Sequence, residues 1–77
     1  MSYSLRSALP DDADLLHGIE LEANPNPWPL SRFARLCDGQ DGNTEIFVLE
    51  QAGQPCAFAV SQQVLDEVTL LNIAVAP

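Results

Sequence analysis

The last third of the chain constrains the fold more than any other stretch. Residues 56–77 read CAFAVSQQVLDEVTLLNIAVAP, two apolar runs joined by a polar elbow, and the second run stops at a proline. Apolar side chains occupy both sets of alternate positions in residues 68–75. A strand with two apolar faces is typical of the middle of a sheet, because both faces must be covered. We therefore expect residues 68–75 to form a central strand, whose outer neighbour and covering elements these 77 residues do not supply.

A short strand and a helix are predicted at the start of the chain. Residues 3–8 alternate between two sides, which suits a strand near a sheet edge, and Pro10 closes that strand. Asp11, Asp12 and Asp14 then place negative charge where the dipole of a following helix is positive. The predicted apolar stripe of this helix consists of Leu15, Leu16, Ile19 and Ala23, flanked by His17, Glu20 and Leu21.

A proline-rich connection separates this helix from a second one. Residues 24–29 read NPNPWP, and three prolines in six residues exclude both regular helix and interior strand. Trp28, the only tryptophan, is interpreted as a side chain that packs the connection onto the core. Pro29 suits the first position of a helix over residues 30–37. The predicted apolar face of this second helix contains Leu30, Phe33, Ala34 and Cys37.

The second half of the chain predicts three strands joined by short turns. Residues 38–44, a glycine- and asparagine-containing turn region, precede a strand over 45–50. A turn at Gly53 leads to a strand over 57–64, and an elbow of Leu65, Asp66 and Glu67 leads to the strand over 68–75. Short turns imply an antiparallel meander. The predicted fold is α+β, one domain part over residues 1–77 in the order strand, helix, helix and three antiparallel strands (β-α-α-β-β-β).

The charge of the chain limits its partners. Three arginines, no lysine and eleven acidic residues give a formal net charge of -8. Nucleic acids and anionic membranes need positive charge at the contact, so neither is expected as a partner, whereas a basic partner is compatible. The sequence has no run of about 18 apolar residues and no basic start followed by an apolar centre. We therefore expect a cytoplasmic protein.

The nucleophilic and metal-binding residue types are sparse. Cys37 and Cys56 lack the paired spacing of a zinc or redox site. We expect both to be reduced, buried or half-buried small groups, and we predict no metal site. The only histidine, His17, lies in the first predicted helix. A Cys–His couple stays open as a minor alternative.

Several pieces of the chain, taken in order and spacing, resemble one enzyme family. They are AFA at residues 57–59, LDE at 65–67 and NIAV at 72–75, preceded by NPWPLSRF at 26–33. Together they resemble the Gcn5-related N-acetyltransferases (GNAT), and within them the ribosomal-protein-alanine N-acetyltransferases, the RimI type. The resemblance covers essentially the whole chain but matches only the N-terminal half of the family domain. It ends before the glycine-rich loop that cradles the pyrophosphate of acetyl-coenzyme A (acetyl-CoA) in that family.

The resemblance implies transfer of acetyl from acetyl-CoA to the N-terminal alanine amine of a ribosomal protein. The strand that matches Ile73, Ala74 and Val75 diverges from its next neighbour in the family, so their backbone atoms are predicted to contact the pantetheine arm. The connection that carries Trp28 borders the acceptor groove in the family. Acidic residues expected to attract a basic acceptor N terminus there are Glu20, Glu22, Asp66 and Glu67.

The general base and general acid of this type have their matching positions beyond Pro77. No catalytic residue is therefore predicted within the chain, and the 77 residues alone are expected to be inactive. An unpaired, flat, apolar edge at residues 70–75 also predicts weak folding and self-association through the edge of 68–75.

Two alternatives to this function stay open. The first is a GNAT enzyme that acts on another peptide or on a small amine, since acceptor choice lies in loops and downstream residues. The second is a truncated, non-catalytic interaction module that folds or dimerises without turning anything over.

Overall fold

The computed structural model describes residues 2–40 and 42–77. The described elements are β1 (Tyr3–Ser7), a 3₁₀ turn (Pro10–Asp12), α1 (Ala13–Ala23), α2 (Leu30–Cys37), β2 (Thr44–Gln51), β3 (Gln54–Val64) and β4 (Glu67–Val75). The predicted α+β order is confirmed, and the predicted limits of the second helix are the observed ones. Asp41, which belongs to the predicted turn region before β2, lies outside the described residues.

The described strands form one antiparallel sheet in the order β1-β2-β3-β4. Ala52 and Gly53 link β2 to β3, and both have positive φ, 53° and 80°, which suits the twist of a tight hairpin. Leu65 and Asp66 link β3 to β4. Leu65 also has a positive φ, 57°, and its side chain is 91% exposed. The predicted meander is therefore confirmed, with tight turns at both of these connections.

A bulge breaks the strict alternation predicted for β4. Neighbouring residues of β3, Val60 and Ser61, have partners in β4 that are two positions apart, Asn72 and Leu70. Leu71 is therefore an extra residue in the ladder. An extra residue changes the face on which every later side chain lies, so Leu70 shares a face with residues 73 and 75 and not with Asn72. The predicted grouping of faces in 68–75 was wrong for this reason.

Both helices cover the same face of the sheet. α1 packs on β3 and β4, and α2 packs on β2. The rings of Phe33 and Phe58 meet edge to face in the middle of this layer, with centroids 5.3 Å apart. The other buried apolar side chains of the core include Leu16, Ile19, Leu36, Ile46, Val48 and Val60.

The buried stripes of the helices differ from the predicted ones. In α1, Leu16 is fully buried, whereas Leu15 is 44% exposed and Ala23 is exposed. In α2, Leu36 is buried, whereas the predicted face residues Leu30 and Ala34 are exposed. A helix that lies on a sheet buries only the positions that face it, so a side chain one position away reaches solvent.

β4 forms an edge of the sheet in the described part of the chain, not its centre. It pairs with β3 on one side, and within residues 2–40 and 42–77 no strand pairs with its other side. The sheet face opposite the helices, here called the open face, is lined by Leu5, Phe47, Leu49, Ala59, Ile73 and Val75. Ile73 and Val75 are 61% and 63% exposed. The apolar groups that predicted a central strand are thus uncovered on this face.

An ion pair connects β1 to the start of α1. The Arg6 guanidinium donates to both oxygens of Asp12, at 2.7 and 2.9 Å, and its Nε lies 3.1 Å from a Glu50 oxygen. Asp12 also accepts the backbone N–H of Leu9 at 2.7 Å. The hydrogen bond from Arg6 holds the pKa of Asp12 below its usual value. Asp12 was predicted only to favour the helix dipole. Through Arg6, which also contacts Glu50 of β2, it connects β1 and β2 to the helical layer.

Candidate functional site

The outer edge of β4 carries the residues predicted to contact a cofactor. The N–H of Ala76 donates to the carbonyl of Cys56 at 2.8 Å, so this peptide group points toward β3. Backbone groups alternate in direction along a strand. Ala74 therefore also points toward β3, whereas the N–H and C=O groups of Ile73 and Val75 point toward the outer edge. This edge offers backbone donors and acceptors that the described residues do not pair.

A buried carboxylate lies beside this edge. Glu20 is fully buried, although the sequence pattern predicted it at the margin of the apolar stripe; that prediction was wrong. Its Oε2 accepts the backbone N–H of Trp28 at 3.0 Å and the side-chain amide of Asn72 at 2.8 Å. Its Oε1 has no hydrogen-bond partner among the described residues. Because Asn72 immediately precedes Ile73, this carboxylate connects the proline-rich segment to the outer edge strand β4.

The Trp28 side chain packs the proline-rich connection against the helical layer. Its ring centroid lies 6.1 Å from that of Phe33, and the guanidinium carbon of Arg32 lies 3.9 Å from the ring. Half-burial of Trp28 agrees with its interpretation as a packing residue. Pro29 is the extended residue that precedes α2, and not its first helical residue as predicted. Pro29 makes no side-chain hydrogen bond that caps α2.

The other acidic candidates do not converge on Glu20. Glu22 is exposed on α1, and Asp66 and Glu67 are exposed at the hairpin between β3 and β4. Glu67 is the first residue of β4 and not part of the turn. The β3 partners of Glu67 and Asn72, Val64 and Val60, are four positions apart, which is about 13 Å along a strand. The hairpin carboxylates and the buried carboxylate therefore belong to separate regions.

The two thiols are free, and Cys37 is buried while Cys56 is half-buried, as predicted. Burial raises the pKa of Cys37 to about 11, so this thiol stays protonated near neutral pH and is a weak nucleophile. The Cys56 thiol donates to the carbonyl of Leu49 at 3.4 Å. The ring of His17 lies 6.0 Å from the ring of Phe33. These contacts are those of packing residues.

The described residues contain no group of three or more His, Cys, Asp or Glu side chains arranged to hold a metal ion. Neither helix in residues 2–40 and 42–77 has the length and hydrophobicity to span a bilayer.

Comparisons with known proteins identify the fold and the sequence family. No protein-family model matches the chain. The [ribosomal protein bS18]-alanine N-acetyltransferase of Escherichia coli strain K12 is 42% identical over 66 residues, which are 86% of this chain and 43% of that protein. The crystal structure of the ribosomal-protein-S18-alanine N-acetyltransferase from Escherichia coli matches 99% of this chain and 47% of that chain, with a TM-score of 0.83 and 38% identity. The chain has the fold of the N-terminal half of a Gcn5-related N-acetyltransferase.

The GNAT assignment applies to a part of the family domain. The chain spans less than half the length of the curated relatives it matches. Its likeness extends to the crystal structure of Arabidopsis thaliana NAA60 in complex with a bisubstrate analogue, with a TM-score of 0.74 over 97% of this chain and 55% of that one. At 14% identity this second likeness shows the fold alone. The predicted strand-helix-helix-meander half of a GNAT fold, of the RimI type in sequence, is confirmed.

Proposed function

We propose that this chain supplies the cofactor-facing strand of an N-acetyltransferase that transfers acetyl from acetyl-CoA to the N-terminal alanine amine of a ribosomal protein. The similarity to bS18-alanine N-acetyltransferases over 86% of the chain supports the reaction and the acceptor. The single structural observation that carries the proposal is the free backbone edge at Ile73 and Val75.

The chemistry of this edge fits the pantetheine arm of the cofactor. That arm contains secondary amides, which donate and accept hydrogen bonds as a peptide does. An extended amide-bearing chain can therefore add to an open sheet edge as an extra strand would. In this role Ile73 and Val75 act through outward-pointing N–H and C=O groups, and Ala74 holds the strand in register with β3. Acetyl-CoA supplies the activated acetyl thioester, and the chain positions it.

The acidic surface suits a basic acceptor. A formal charge of -8 favours approach of a positively charged peptide N terminus. Glu22, Asp66 and Glu67 are exposed and are the proposed attracting residues, while Trp28 is proposed to border the acceptor groove. The general base and acid are proposed to come from sequence that follows these 77 residues in the relatives. We propose a cytoplasmic activity, because the proposed acceptor is a ribosomal protein.

Calorimetric titration with acetyl-CoA tests the proposal, on the 77-residue chain and on a version extended to the length of the relatives. Val75→Pro removes one outward N–H and spares the ladder with β3. We expect it to weaken acetyl-CoA binding by the extended version about tenfold, the effect of one lost hydrogen bond of about 1.4 kcal/mol. Val75→Ala, the matched control, keeps the N–H and is expected to bind within about twofold of the parent. Equal binding by all three proteins would contradict the assignment of this edge.

Mass spectrometry of acceptor peptides tests the reaction itself. The extended version should acetylate a peptide that begins with alanine and should leave the same peptide unchanged when its N terminus is already acetylated. Acetylation of a small amine but not of the peptide would assign a different GNAT acceptor. Absence of both acetyl-CoA binding and acetylation in the extended version would instead support the interaction module.

A further inference from the structure

We propose that Glu20 is a positioning residue, whose buried carboxylate fixes the Trp28 connection onto β4 one residue before the cofactor-facing edge. This inference deepens the proposed function and rests on it for its kinetic consequence. The cluster formed by Glu20, the backbone of Trp28 and the side chain of Asn72 is called the carboxylate clasp below. Glu20 touches neither of the proposed substrates, so it acts through the two elements that it joins.

The proline-rich connection has few backbone N–H groups, and the Glu20 carboxylate accepts one of them. Three prolines leave residues 24–29 with three backbone N–H groups. The N–H of Asn24 donates to the Glu20 carbonyl at 2.9 Å, and that of Asn26 donates to the Asn24 side chain at 3.0 Å. The N–H of Trp28 donates to the Glu20 carboxylate at 3.0 Å. The Asn24 bond is the last backbone bond of α1, and the Asn26 bond is local, so the Glu20 carboxylate is the acceptor that fixes the far end of a segment without regular structure.

Glu20 Oε2 also binds a second element of the fold, the strand β4. Asn72 lies 52 positions further along the chain and donates its side-chain amide to Glu20 Oε2 at 2.8 Å. Its backbone is paired with Val60 in β3, so this end of the clasp is rigid. Arg32 and Phe33 hold the Trp28 ring from its other sides. The clasp thus sets the distance between the acceptor-side connection and the strand that carries Ile73.

The unpartnered oxygen bears on why a glutamate occupies this position. Glu20 is fully buried, and its Oε1 has no partner among the described residues while its Oε2 accepts two hydrogen bonds. Burying a carboxylate with one bare oxygen costs free energy that an apolar side chain at this position would not cost. Stability alone therefore does not account for a glutamate here. Orientation of two backbone segments does account for it, because charge-assisted hydrogen bonds are strong and directional.

A reciprocal exchange of the two side chains tests the clasp. Asn72→Asp alone places a second carboxylate 2.8 Å from the first in a buried site, which is repulsive. Adding Glu20→Gln replaces the first carboxylate by an amide. The glutamine N–H then donates to the aspartate, so the contact between positions 20 and 72 is restored with donor and acceptor exchanged and the repulsion is removed. Glu20→Gln alone is the milder change, because the glutamine carbonyl oxygen can still accept both the N–H of Trp28 and the amide of Asn72.

Steady-state kinetics of the extended protein is the first readout. Asn72→Asp should raise the KM for the alanine peptide at least about tenfold, and Glu20→Gln with Asn72→Asp should return it to within about threefold of the parent. The kcat should change less than the KM. Asp14→Asn, an exposed carboxylate on the same helix, is the control for loss of charge and should leave the KM unchanged. Asn72→Ala, which removes one donor without adding charge, replaces Asn72→Asp if that variant does not fold.

Trp28 fluorescence is the second readout and needs no acetyl transfer. Trp28 is the only tryptophan in these 77 residues, and subtraction of a Trp28→Phe spectrum isolates its signal in the extended version. Its emission should shift in Asn72→Asp and return in the double variant. Effects that simply add in the double variant, or an unchanged emission in every variant, would overturn the inference. A loss of kcat in proportion to the folded fraction at constant KM would show a purely structural role. If the parent transfers no acetyl at all, the proposed function fails, and the fluorescence series still decides the clasp.

Discussion

The two faces of the sheet carry similar apolar side chains but differ in their exposure to solvent. On the helix side, Phe33 of α2 and Val48 and Val60 of the sheet belong to one core cluster, and all three are 0% exposed. On the open face, Leu5 is 68% exposed and Ile73 is 61% exposed. Residue type does not distinguish the faces, because both are rich in branched aliphatic and phenylalanine side chains. The difference is that α1 and α2 cover one face, and no described element covers the other.

This difference separates stability from interaction within one small sheet. An apolar side chain stabilises the fold only by the surface that it removes from water. The covered face therefore supplies the cohesion of the described residues. The open face and the edge of β4 instead present apolar surface and backbone groups, the features that association with another chain segment or an amide-bearing ligand requires.

The largest expected effect comes from matched phenylalanine truncations on the two faces. Phe33→Ala should lower the free energy of unfolding by about 3–5 kcal/mol, because it opens a cavity beside Phe58 and Trp28. Phe47→Ala on the half-buried open face should cost about 1 kcal/mol, since much of its surface already meets water. Urea unfolding of the two variants measures both. Equal costs would break the comparison between the faces.

The next effect concerns the ion pair that joins β1 to the helical layer. The pKa of Asp12 is lower in the folded state than its usual value of 3.8. Its contribution to stability is therefore fully present above pH 3.8 and is lost as the pH falls through the folded-state pKa. Asp12→Asn should lower the free energy of unfolding at pH 7 by about 2 kcal/mol and flatten its decline in acid. Thermal melts between neutral and acidic pH measure this effect. If the stability of Asp12→Asn falls in acid as steeply as that of the parent, the ion pair does not contribute to the stability of the covered face.

A smaller and opposite effect is expected at the hairpin that leads into β4. Leu65 has a φ of 57°, in the left-handed region that disfavours a bulky side chain, and it is 91% exposed. Leu65→Asn should raise the free energy of unfolding by about 0.5–1 kcal/mol, because asparagine tolerates this conformation and no packing is lost. Leu65→Ala, which stays strained, is the control. A gain of equal size in both variants would point to removal of exposed apolar surface and not to backbone relief.

The smallest effect on stability is expected at the outer edge of β4, where a substitution should instead reduce self-association. Self-association of the 77-residue chain through residues 68–75 stays a prediction. Leu70→Lys, at a side chain 58% exposed, should suppress concentration-dependent sedimentation while changing the free energy of unfolding by less than about 0.5 kcal/mol. Leu5→Lys, on the opposite edge strand, is the control. Equal suppression by both would assign association to the open face as a whole and not to the β4 edge.

Parts of the fold and of the site were predictable from local sequence signals. The range of α2 was predictable because a proline marks its start and the glycine turn follows its end, although Pro29 lies just before the helix and not in its first position. The strand that contains residues 73–75 was predicted from its apolar run, and its contact with a cofactor, which the family resemblance implies, stays a prediction. The sequence did not show which backbone groups point away from β3. The register with β3 shows that those of Ile73 and Val75 point outward and those of Ala74 point toward β3.

Other features were not predictable because they depend on distant partners. Leu15 and Leu16 are equivalent in composition, and only the placement of α1 on the sheet buries the second and exposes the first. Glu20 stands in line with Leu16 and Ile19 at helical spacing, which was the available signal for its burial. The sequence pattern nevertheless predicted Glu20 at the margin of the apolar stripe. The two hydrogen-bond donors that compensate its burial lie 8 and 52 positions away, so the local sequence does not reveal them.

The amino-acid sequence by itself determined the order of elements, the turns and the resemblance to one half of a GNAT domain. The order of elements and the turns depend on backbone preferences and hydrophobic periodicity, which act over a few residues, and the resemblance depends on the wording of particular segments. The tertiary structure alone decided the bulge at Leu71, the exposed face of β4 and the burial of Glu20. Each of these depends on which strand or helix lies opposite, and contacts between residues far apart in the chain arise only when the sheet and helices pack together.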